Sequence, residues 1–91
     1  MATQEIAPLQ IDPSSVGTLE VGGIDVPYAD LNDEPVIHTH VRLGEGEYVY
    51  QRSFPVKGHG ALMPAVLDEL RDAGRRVLVV ERDERYILFA T

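Results

Sequence analysis

Two short runs near the end of the chain, Val77-Leu78-Val79-Val80 and Tyr86-Ile87-Leu88-Phe89-Ala90, are apolar or aromatic at every position. Between them lies the charged stretch Glu81-Arg82-Asp83-Glu84-Arg85, whose mixed signs suit a solvated turn. A strand with one wet face alternates apolar and polar residues, whereas a run that is apolar on both faces suits a central strand. Residues 76–90 are therefore expected to form the core hairpin, and the rest of the chain must be arranged around it.

Upstream, punctuation by glycine and proline divides the chain. Leu19 and Val21, then Ile24 and Val26, alternate around Gly22-Gly23 in a two-residue hairpin pattern, because glycine accepts the positive φ that such turns demand. Pro27 places the end of that second strand at an edge. A second hairpin is expected from Val36–Leu43 and Glu47–Phe54, joined by Gly44-Glu45-Gly46. Pro64 suits a first helical turn, and Val66, Leu67, Leu70 and Ala73 recur at helical spacing until Gly74, which predicts a short helix over about 64–73. Pro8, Pro13 and Ser14-Ser15 make residues 1–15 read as a flexible or extended arm ahead of a single domain over 16–91. The expected fold class is α+β, a mostly antiparallel sheet of two or three hairpins with one short helix.

Charge and composition then limit function. The chain has 91 residues, enough for one domain only, and at this size a homodimer interface would add useful burial. It contains no cysteine, which excludes disulfides, thiolate nucleophiles and Cys-ligated metals and points to the cytoplasm. The first residues, Met1–Glu5, lack the basic and apolar regions of a signal peptide, and Ala61–Leu67 is far shorter than the ~20 apolar residues a membrane helix needs. Residues 1–50 hold nine acids against Arg42 alone, a net −8, while residues 51–91 hold seven basic residues against six acids, a net +1. Such acidity disfavours non-specific nucleic-acid binding and favours a basic protein partner.

Three clusters offer chemistry. His38 and His40, two apart on a strand, project from one face and can chelate a divalent metal, with Glu45 and His59 as further ligands. The spacing His38-x-His40-x4-Glu45 resembles the first metal motif of the cupin family. Cupins return a second histidine from a later strand, and here the chain passes from Pro55 through Gly58-His59 into the expected helix instead. The same strand also reads as amphipathic, with Val36, His38, His40 and Arg42 to solvent and Ile37, Thr39, Val41 and Leu43 inward. Lys57-Gly58-His59-Gly60 ahead of the helix suits an anion site built from backbone N–H groups and the lysine charge, or simply a tight turn. Arg71, Arg75 and Arg76 complement the carbonyl end of the helix. No set of residues supplies a nucleophile with its base, so a non-enzymatic role is favoured.

From Tyr48 to Thr91 the order of elements also resembles the AbrB/SpoVT swapped-hairpin family of DNA-binding regulators and antitoxins. The best local match is Gly60-Ala61-Leu62-Met63-Pro64 running into Ala65–Leu70, followed by Arg76–Val80. The resemblance implies an intertwined homodimer with Arg52, Lys57 and His59 near DNA. The residues themselves favour a small protein-interaction or regulatory module whose acidic half meets a basic partner.

Overall fold

The computed structural model describes residues 9–31, 39–58 and 62–91. Its strands are β1 (Leu9–Ile11), β2 (Gly17–Val21), β3 (Ile24–Asp30), β4 (His40–Leu43), β5 (Gly46–Pro55), β6 (Val77–Arg82) and β7 (Arg85–Ala90), with one α-helix, α1 (Leu62–Asp72). Leu9–Ile11 and the 3-10 turn Pro13–Ser15 lie inside the stretch read as an arm. None of the helices is long and apolar enough to cross a membrane among the described residues.

All seven strands belong to one sheet in the order β1-β4-β5-β7-β6-β3-β2, curled into a half-barrel. This corrects the expectation of a mostly antiparallel sheet of hairpins. The hairpins β2–β3, β4–β5 and β6–β7 are joined through antiparallel β5/β7 and parallel β3/β6, and β1 adds a second parallel pair with β4 at the edge. Parallel neighbours need a long crossover. Between β3 and β6 that crossover contains a whole hairpin and α1, so strand partners are set by connections that local periodicity does not record. β3 is consequently an interior strand. Pro27 is tolerated because the ladder with β6 begins only at Tyr28↔Val79.

Burial on both faces follows the doubly apolar runs. On one side Val77, Val79, Leu88 and Ala90 pack with Val21, Val26 and Phe54 against Met63, Leu67 and Leu70 of α1. On the other, Leu78, Val80, Ile87 and Phe89 pack with Ile11, Ala29, Val41 and Tyr48. Met63, Leu67 and Leu70 recur at i, i+4 and i+7, one stripe of the helix. The helix ends in a Schellman motif: Gly74 has φ +76°, its N–H donates to Arg71 O at 2.9 Å, and Arg75 N–H donates to Leu70 O at 3.0 Å.

Two local readings also change. The β6–β7 turn is Asp83-Glu84 alone, with φ of 54° and 61°, so Glu81 and Arg82 are strand residues and Arg82 is only 6% exposed. The β4–β5 turn is Gly44-Glu45, and Gly46 already pairs with Leu43.

Candidate functional site

The most acidic feature with defined geometry is the β2–β3 hairpin at the end of the sheet. Gly22 and Gly23 take φ of 57° and 81°, the mirror-image turn whose twist matches that of two strands. The closing pair is Val21↔Ile24, followed by Glu20↔Asp25, Leu19↔Val26 and Thr18↔Pro27. Val21 and Val26 are buried in the helix-side core, which fixes the hairpin. Alternation then sends Glu20 and Asp25, both exposed, to the opposite face.

In a two-residue hairpin the closing residues exchange both backbone bonds, and every second pair repeats this. Thr18 and Glu20 fall between those pairs, so their N–H and C=O groups point to the outer side of β2. No strand lies beyond β2 among the described residues. The result is an open edge on which Glu20 stands directly opposite Asp25 of β3, a like-charge pairing that destabilises the hairpin.

Among the described residues no group of three or more His, Asp or Glu gathers that could hold a metal. His40 opens β4, half-buried, with Nδ1 3.0 Å from the Thr39 hydroxyl. Glu45 is exposed in the following turn. His38 and His59 lie outside the described residues, as does Gly60 of the anion stretch. Arg52 stands on β5 with its guanidinium 5.3 Å from the Phe54 ring centroid, a cation–π contact. Lys57 and Gly58 follow β5, Gly58 at φ +87°. Lys57 shares a depression of ≈ 330 Å3 with Glu81 and Glu84, so an anion arriving there meets two carboxylates beside one ammonium.

Two groupings escaped the sequence because each joins strands distant in the chain. The Tyr28 hydroxyl donates to Glu81 Oε1 at 2.6 Å. Burial, then Glu81, pushes the Tyr28 hydroxyl far above the ordinary phenol range, so it is a proton donor at any neutral pH. Burial and then the Glu81 charge raise Tyr86 as well. The second grouping gathers Arg71, Arg75 and Arg76 beside Tyr48 at one end of the half-barrel. The arginines are legible as a cluster around the helix end; their meeting with Tyr48 is not. Compared with family models, curated proteins and solved structures, the chain finds no match.

Proposed function

We propose that the chain is a non-enzymatic protein-interaction module that receives a basic, extended segment of a partner along β2. The observation that carries this reading is the Glu20↔Asp25 pair, with Glu20 on the outermost strand β2 and Asp25 beside it on β3. An added strand satisfies the outward backbone groups of Thr18 and Glu20, and lysine or arginine at alternate positions neutralises the two carboxylates. A second copy of this chain docked edge to edge would bring Glu20 toward Glu20, so the charge favours a different, basic partner.

The test is capture from cell extract by the intact chain and by two variants. Glu20→Lys reverses the edge charge. Thr18→Pro removes an outward N–H without breaking a β2–β3 bond. Capture of the same proteins should be lost in both variants and should weaken between about 0.1 and 1 M salt, as the Debye length falls from ~10 to ~3 Å. Capture indifferent to both variants, or to salt, overturns the reading.

A further inference from the structure

Where β6 begins and β7 ends, the curl of the sheet leaves a cleft of ≈ 290 Å3 lined by Asp25, Pro27, Tyr48, Arg71, Arg75 and Arg76. Its lining holds three arginines and one aspartate, a side-chain charge of +2 in a chain of net −7. One cation near the last turn of α1 is accounted for by the carbonyls there, but three are not needed for that purpose.

These arginines are also available. None of the three forms an ion pair with an Asp or Glu side chain within 4.0 Å among the described residues. Arg75 is held in place by its Nε, which donates to Thr91 O at 2.8 Å, leaving both terminal nitrogens for a ligand. The backbone of Arg76 is fixed by reciprocal bonds with Thr91, its N–H to Thr91 Oγ1 at 3.1 Å and Thr91 N–H to Arg76 O at 3.0 Å.

Tyr48 adds a hydroxyl to the same cleft. The residue is 6% exposed in the core opposite α1 and lines the cleft from β5 together with Asp25 and Pro27 of β3, although β7 and β6 separate those strands in the sheet. Its hydroxyl has no hydrogen-bond partner among the described residues. The hydroxyl itself is open to solvent at the mouth of the cleft, where it can donate to a ligand.

We propose that this end of the half-barrel binds a small phosphate monoester. A monoester carries roughly −1.5 to −2 charge near neutral pH and three acceptor oxygens, which match the local +2 and the forked donors of Arg75 and Arg76. The Tyr48 hydroxyl donates to a phosphoryl or ester oxygen. Pro27 and the neighbouring Val26 and Val77 offer apolar wall to the carbon part. The cleft falls just below the roughly 300–1,000 Å3 typical of ligand pockets, a size for a single sugar phosphate rather than a polymer. The proposal shares Asp25 with the edge-strand reading but does not rest on it, since neither Glu20 nor the outer side of β2 takes part.

Calorimetric titration of the full chain with glucose 6-phosphate, inorganic phosphate, sodium sulfate and a short DNA duplex at matched ionic strength tests it. Saturable one-to-one binding of the sugar phosphate is expected, tighter than that of phosphate or sulfate. Arg76→Gln should weaken it about tenfold, as losing a hydrogen bond between charged groups does. Tyr48→Phe, which keeps the ring in the core, should weaken it about threefold. Equal binding of the sugar phosphate and sulfate, preference for inorganic phosphate or the duplex, or affinity untouched by both variants in folded protein overturns the proposal.

Discussion

The Tyr28 hydroxyl and Glu81 Oε1 lie 2.6 Å apart on the helix-side face, bridging β3 to β6 beside the parallel ladder that begins at Tyr28↔Val79. That junction joins the β2–β3 hairpin to the rest of the sheet. A short bond from a hydroxyl to a carboxylate therefore supports the attachment of the whole edge.

Tyr28→Phe should lower stability by about 1 kcal/mol, below the ~1.5–3 kcal/mol of a buried bond to a charged group because the pair is only part-buried. Urea denaturation measures this. The wild-type pH dependence has a definite sign: the folded state holds the Tyr28 proton more tightly than the unfolded chain, whose phenols titrate near 10. The stabilisation is complete below that pH and is lost as pH rises through the higher folded value. The alkaline decline should be shallower in Tyr28→Phe, and an unchanged alkaline limb would count against the bond.

Gly22→Ala should destabilise the chain by about 2–4 kcal/mol, and Gly23→Ala by only about 1 kcal/mol. Both glycines have positive φ, but a Cβ at Gly22 would sit 2.8 Å from Cβ and Cγ of Pro64, a rigid ring at the start of α1, while at Gly23 it meets nothing within 4 Å. Adding Pro64→Ala to Gly22→Ala should recover part of the loss in a double-mutant cycle. Equal effects at the two glycines would show that the hairpin tip does not press on the helix.

The elements that could be read along the chain are those whose signals are local. Gly22-Gly23 marks its turn, Gly74 its helix end, and the apolar run Val77–Val80 its two buried faces. What local signals omit is partnership. Nothing in Leu9-Gln10-Ile11 announces a parallel pairing with β4, and nothing in Tyr28 announces Glu81. In β5 the register shifts between Tyr50 and Arg52, leaving Gln51 unpaired. Tyr48 and Tyr50 thus share the face of Phe89, while Arg52 and Phe54 share that of Leu88. An unbroken alternation from Tyr48 to Phe54 would assign all four to one face, so the position of Tyr48 in the arginine cleft was hidden by that bulge.

Glu84→Gly should raise stability by about 0.5–1 kcal/mol. Asp83 and Glu84 both adopt positive φ, and a side chain beyond Cβ gains nothing there, whereas aspartate tolerates the conformation better. Glycine at the second position relieves the strain at some expense in unfolded-state entropy. The backbone bond from Val56 N–H to Glu84 O, 2.9 Å, is kept. The melting temperature should rise by several degrees, since about 1 kcal/mol corresponds to ~4–8 °C for a domain of this size; a fall would mean that Glu84 contributes more beside Lys57 than its backbone costs.

Glu20→Lys sets stability against binding. Replacing the Glu20↔Asp25 opposition by an attractive cross-strand pair should stabilise the hairpin by about 0.2–1 kcal/mol, and the gain should shrink with added salt because both positions are exposed. Glu20 is a better choice than Asp25, which also lines the arginine cleft, where a new cation would add to three already present. Thermal melting at low and high salt measures the gain. A stabilised variant that no longer captures its partner would mean that the like-charge pair is kept at the expense of folding, as expected of a binding edge. A variant that is stabilised and still binds would leave the two facing carboxylates without a role in recognition.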